Sequence, residues 1–287
     1  MKKVTVVVAV LVLACLVGFS LAASRGLFRA IAPSVAAEEA AVAPVSAAAQ
    51  GAEKAASATA GGLAALNQAA QAKRYAFLFI WKEQNEQTTA MRKVFDRALT
   101  SIADRADAVV VKVDDPDEEA LVDKFQLRRA PLPLVLSVAP SGAILGGFPT
   151  KFSEEDLVHA FGSPCTEQVM KTVQDRKLVL LCVQNDKTKS NAEALQGVRD
   201  FEADSRYSGS TNVVMLDPAD AAEASFLQDL KIDSQTAQAV TVLIAPPGVA
   251  VTEVKGPVTK DVLVDALQKA SSACASGSCG PGGCGPK

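Results

Sequence analysis

Cysteine is the residue type in this 287-residue chain whose spacing most suggests chemistry, because three of its six cysteines fall in the last fourteen positions. Cys274, Cys279 and Cys284 recur every five residues in a tail rich in Gly, Ser and Pro, which leaves thiols sterically open. Three such thiolates could wrap a soft ion such as Cu(I), or supply three of the four ligands of Zn²⁺. The same thiols could instead pair or exchange with a partner's disulfide. Cys-x4-Cys-x4-Cys is not an established zinc framework, so metal binding, thiol exchange and a chemically silent tail all stay open. Cys182 lies inside the apolar run from Leu178 to Val183 and reads as a small core residue. Cys165 follows Gly162-Ser163-Pro164, where pairing with Cys182, pairing with a tail cysteine and a free thiol are all compatible with the spacing. His159, the single histidine, reads as solvated on a late helix. The acidic turn Asp114, Asp115, Asp117 and Glu118 lacks both the ligand spacing and the central Gly of a calcium loop, and fits helix N-terminal charge better.

Compartment decides what thiols can do. Lys2 and Lys3 precede an apolar run from Val4 to Ala22 that ends in small residues, the order of a secretory signal. A cleaved signal peptide, a retained membrane anchor and, from Val12-Leu13-Ala14-Cys15, a lipidated N-terminus are the three readings. All of them export the remainder to the periplasm or cell envelope, where disulfides persist. With 29 basic against 32 acidic side chains the chain lacks the basic excess of a nucleic-acid binder. Its only membrane contact is expected through residues 1–23. Residues 24–61 are Ala-rich with scattered Pro and few large apolar side chains, so they read as a tether that cannot bury enough surface to offset its ordering entropy.

From residue 62 the hydrophobic pattern changes to alternating strands and helices. Tyr75 to Trp81 is a continuous apolar run suited to a buried central strand. Met91, Val94, Phe95, Ala98, Leu99 and Ile102 then mark one face of a helix. Val109 to Val113 predicts a second strand, Leu121, Val122 and Phe125 the inner face of a further helix, and Leu134 to Val138 a third strand. A turn at Pro140-Ser141-Gly142, a short strand at Ala143 to Leu145 and a helix capped by Ser153 complete the series. Residues 163–271 repeat the plan. Ala139-Pro140-Ser141-Gly142 matches Ala245-Pro246-Pro247-Gly248, Leu157 to Phe161 matches Leu263 to Leu267, Val110 to Asp114 is paired with Val213 to Asp217, and Arg74 with Arg176. The expected organisation is α/β: two tandem domains at 62–162 and 163–271, each a central mixed sheet flanked by helices, followed by a Cys/Gly/Pro-rich tail at 272–287.

The succession Val113-Asp114, Phe125 to Pro131, Leu134-Val135-Leu136 and Pro140-Ser141-Gly142 resembles the thioredoxin family, and the resemblance covers roughly 100 residues of the first copy. It implies that Pro131, or else Pro133, occupies the family's cis-proline position, beside a groove that can hold an extended peptide. It also places Asn85-Glu86-Gln87-Thr88 where the family carries Cys-x-x-Cys, so Asn85 and Thr88 stand in for the two cysteines. In the second copy the corresponding loop is Gln184 to Thr188, and Ala237 replaces the proline matched to Pro131. A thioredoxin needs a thiolate activated at a helix N-terminus, and neither copy places Cys there. The reading is therefore an exported, non-catalytic thioredoxin-like module that binds a protein partner, with a possible Cu(I) or Zn site in the tail. The alternative is a thiol-disulfide oxidoreductase or metallochaperone whose working thiols are Cys274, Cys279 and Cys284.

Overall fold

A computed structural model describes residues 61–275. The export segment, nearly all of the tether, and Cys279 and Cys284 lie outside the described residues. The first domain runs α1 (Gly62–Gln71), β1 (Tyr75–Trp81), α2 (Glu86–Ser101), β2 (Ala106–Lys112), α3 (Glu119–Lys124), β3 (Leu134–Val138), β4 (Ile144–Pro149) and α4 (Glu154–Val158). The second runs α5 (Pro164–Gln174), β5 (Leu178–Val183), α6 (Asn191–Glu202), β6 (Thr211–Leu216), α7 (Ala224–Asp229), β7 (Val240–Ala245), β8 (Val249–Lys255) and α8 (Lys260–Ala275). The sheets have the orders β2-β1-β3-β4 and β6-β5-β7-β8. In each, the first pair is parallel and the other two are antiparallel.

The central strands β1 and β5 read as unbroken apolar runs because both sheet faces are covered. One face of the first sheet packs Leu78, Ile80 and Val111 against Leu66 of α1 and Leu121 of α3. The other packs Phe77, Phe79 and Val135 against Phe95 and Leu99 of α2 and Leu157 of α4. The second sheet is built alike, with α5 and α7 on one face and α6 and α8 on the other. Burying one such Phe or Leu contributes about 1.5–3 kcal/mol, so these layers dominate the stability of each copy. Gly197 lets α6 approach the chain ahead of α8, since a Cβ there would sit 2.0 Å from the Val258 carbonyl oxygen.

Strand register corrects two of the sequence matches between the copies. Tyr75 faces Ala106 as Leu178 faces Thr211, so Val110 corresponds to Met215 rather than Val213. Lys73 and Arg176 share a left-handed backbone at the same turn, so Arg176 answers to Lys73 rather than Arg74. In runs of Val, Leu and basic residues a slip of one or two positions leaves the character of the match unchanged, which is why the sequence comparison slid. With the register corrected, the copies differ in length at two loops between the leading helix and the third strand. The loop from Ile80 to the α2 cap Asn85 is two residues shorter than that from Val183 to Ser190 ahead of α6. The segment from Leu127 to Leu134 is one residue shorter than its counterpart from Ile232 to Val240.

Each copy ties down its leading helix with a glutamate from the turn after its second strand. The Glu118 carboxylate accepts the Gly62 N–H at 2.8 Å, and Glu223 accepts the Cys165 N–H at 3.0 Å and the Ser163 hydroxyl. These carboxylates satisfy donors that a helix start leaves orphaned, and they meet the positive end of its dipole. Between the domains, the Gln174 side chain brackets Ile144, accepting its N–H at 2.9 Å and donating to its carbonyl at 2.7 Å. The Tyr75 hydroxyl bonds the Glu167 carboxylate and the Gly162 carbonyl. Burial, reinforced by Glu167, pushes the Tyr75 phenol above its usual range.

Candidate functional site

At the C-terminal end of β1 the first domain presents residues 82–87 to solvent as the chain turns into α2. Asn85 caps α2, its side chain accepting the Thr88 N–H at 2.8 Å, while the buried Thr88 hydroxyl donates to the Glu83 carbonyl at 2.8 Å. Both side chains are thus committed to closing the helix start. Gln87 donates to the Thr150 carbonyl at 3.0 Å, and the Thr150 N–H donates to the Pro133 carbonyl at 2.6 Å. The start of α2, the end of β4 and the loop entering β3 therefore form one rim.

The cis peptide bond on this rim is Leu132–Pro133, which corrects the assignment to Pro131. A short 3-10 turn at Leu127–Arg129, closed by the Ala130 N–H on the Leu127 carbonyl, leaves Pro131 exposed on the approach. Pro133 is buried and adjoins Leu134, the first residue of the loop to pair with β1. Thr150 sits at φ 60°, in the left-handed region that β-branched residues avoid. The Gln87 link carried no sequence signal, because its partner lies 63 positions away.

The second domain closes the equivalent end. Its α6 starts after Ser190, two residues further from the central strand than α2 starts after Asn85. That longer loop braces itself. The Thr188 hydroxyl contacts Asn191 and Asn185, the Asn191 amide donates to the Asn185 carbonyl at 2.8 Å, and the Asn185 amide donates to Asp217 at 2.8 Å. The Ala219 N–H and then the Asn185 amide hold the Asp217 carboxyl below its usual range. Lys189 makes a parallel bridge with Gln238, donating to the Ala237 carbonyl at 3.0 Å and accepting the Ala239 N–H at 2.9 Å. With the corrected register Ala239 stands where the first domain has Pro133, and Gly256 at φ 81° stands where it has Thr150.

The remaining sequence candidates fall elsewhere. Cys165 and Cys182 are both free and buried, and they belong to the cores on opposite faces of the second sheet, which excludes a bond between them. Burial pushes both thiols up to about 12, with the Glu223 carboxylate adding to the effect at Cys165. The start of α5 would otherwise favour a thiolate at Cys165. His159 is exposed, its Nδ1 2.8 Å from the Glu155 carbonyl oxygen. In the acidic turn Asp115 accepts the Asp117 N–H at 3.1 Å, Asp114 lies 3.7 Å from Lys82, and Glu118 reaches α1. Among the described residues no group of three His, Cys, Asp or Glu is placed to hold a metal ion. Helix α8 continues to Ala275, past the expected boundary at Ser272, so Cys274 belongs to its last turn. Among the described residues no helix is long and apolar enough to cross a membrane.

Strand order, mixed pairing and helices on both faces define two tandem thioredoxin-like domains. No family model matches the chain, and no curated protein does. Among solved structures it is similar to the first two thioredoxin domains of Saccharomyces cerevisiae Eps1p, with 9% identity, TM-score 0.28, and coverage of 72% of this chain and 96% of that one. It is similar also to human ERp44, with 10% identity and TM-score 0.33, where 77% of this chain matches 60% of ERp44. The N-terminal domain of the Enterococcus faecalis alkylhydroperoxide reductase AhpF shares 13% identity at a TM-score of 0.25, covering 71% of this chain and 96% of that one. Likeness at this level says nothing of activity.

Proposed function

We propose that the chain is an exported, non-catalytic thioredoxin-like module that receives an extended peptide of a protein partner in the first domain's groove, beside Pro133. The observation that carries this reading is the first-domain rim. It links Thr150, held in a left-handed backbone, both to Gln87 at the start of α2 and to the buried Pro133, while Asn85 caps α2. Backbone held in a sparsely populated region persists where the surroundings impose it, and such residues cluster at ligand clamps. An extended segment laid along such a rim gains main-chain hydrogen bonds, and side-chain pockets give it selectivity. The C-terminal thiols are assigned to soft-metal binding on their spacing alone.

The test uses peptides selected by display against the full chain. Pro133→Ala is expected to weaken their binding at least tenfold with the circular dichroism spectrum unchanged, whereas Ala239→Gly leaves it within twofold. Equal binding by wild type and the Pro133 variant contradicts the groove. Reduction of insulin by the full chain would contradict the non-catalytic reading. For the tail, Cu(I) and Zn²⁺ content measured on the full chain and on a chain ending at Ser272 should fall on truncation, and unchanged content overturns the assignment.

A further inference from the structure

The bridge at Lys189 is the part of the second domain that its fold does not require, since the first domain builds the same sheet and helices without it. The loop that makes it is two residues longer than its counterpart and carries Ser190 at φ 64°, a left-handed backbone where Asn85 is extended. It pairs with the edge of chain just before β7, where Ala239 supplies an N–H that Pro133 lacks. In the same loop the Gln184 Oε1 atom is buried with no hydrogen-bond partner, which a fully settled interior rarely tolerates.

We propose that residues 184–190 are a built-in occupant of a latent strand-pairing edge at Ala237–Ala239, so that the second domain carries a closed version of the site left open in the first. Only the kind of ligand an opened edge accepts, an extended chain, rests on the peptide-groove reading above; the closure itself does not. Lys189 takes the place of an incoming residue, using one N–H and one carbonyl as an added strand does. The first domain cannot be closed in this way. Its loop is shorter, and Pro133 has no N–H to offer. The plug opens as a local unit, separately from global unfolding, because a single-residue bridge and a few polar contacts hold it while apolar layers hold β5 and β7.

The experiment compares the full chain with a variant lacking Asp186 and Lys187, and with Lys189→Pro, which removes the donor to Ala237. Hydrogen exchange of the Ala239 amide is expected to rise at least tenfold in both variants, with Leu181 and Leu243 unchanged. Exchange at Ala239 that stays at the wild-type rate, or that rises only together with Leu181 and Leu243, overturns the proposal. A synthetic peptide copying residues 184–191 is then titrated to millimolar concentration against ¹⁵N-labelled protein. Shifts of the Gln238 and Ala239 amides in the shortened chain but not in wild type support the latent edge; none in the shortened chain, or equal shifts in both, overturn it. Neither readout involves Pro133, so failure of the first-domain groove and failure of the plug give separate results.

Discussion

The two domains share strand order, helix placement and a glutamate at the start of the leading helix, yet at one end of the sheet they diverge in four linked ways. The first has the shorter loop ahead of its second helix, the shorter loop ahead of its third strand, a cis-proline, and Thr150 in a left-handed backbone. The second has the longer loops, Ala239 with its N–H engaged, and Gly256, which adopts the same backbone region without steric cost. A duplicated fold has thus kept its cores and changed at this end, where the left-handed backbone after the fourth strand is carried by Thr150 in one copy and by Gly256 in the other.

Substitutions sharpen or break this contrast, and the largest effect is expected where the copies agree. Glu223→Ala leaves the buried Cys165 N–H without its carboxylate and should cost about 3 kcal/mol in chemical denaturation. Glu118→Ala, at the partly exposed counterpart, should cost about half of that, and equal losses would show that burial does not set the difference.

The next effect separates the domains by pH. Both buried thiols lie in the second domain, and residues 62–162 contain no cysteine. Their folded values near 12 lie above the unfolded value of 9.0, so the unfolded chain releases protons first. Stability is therefore full below pH 9 and is lost as pH rises, by about 1.4 kcal/mol per thiol at pH 10. Denaturation followed from pH 8 to 10 should show this loss in wild type and a much smaller one in Cys165→Ala/Cys182→Ala, the remainder coming from the raised Tyr75 phenol of the first domain; an undiminished loss in the double variant contradicts the assignment.

Gly197→Ala presses a methyl group onto the Val258 carbonyl and should cost about 1–3 kcal/mol, measured by thermal melting, because α6 and the segment ahead of α8 must part to admit it. The smallest effect has the most to say about function. Thr150→Gly should stabilise the chain by about 1 kcal/mol by relieving left-handed strain, and weaken peptide binding, as expected when a stressed residue serves a site. A stabilised variant with unchanged binding would leave Thr150 without a role at the rim.

Apolar runs and helical spacing made the layers legible, since Phe77, Phe79 and Phe95 are buried where periodicity puts them. The duplication was legible too, at Pro140-Ser141-Gly142 and Leu157. What escaped was non-local or a matter of one residue. Pro131 was preferred to Pro133 because the tight turn at Leu127–Arg129 leaves no pattern in composition. Glu118 looked like charge on its own helix, whereas it reaches a donor 56 residues away. Cys182 was legible as a core residue in its apolar run, but its separation from Cys165 could not be read until a sheet stood between them. The Lys189 bridge is invisible to any reading that treats loop length as tolerated variation.

The central claim, that the groove beside Pro133 receives an extended peptide while its counterpart is closed, is tested most directly by mapping amide shifts in the ¹⁵N-labelled full chain as a display-selected peptide is added. Shifts concentrated at Gln87, Leu132 and Thr150, with Gln238 and Ala239 unmoved, are the predicted result. Shifts centred on Gln238 and Ala239, or spread over neither rim, would contradict it.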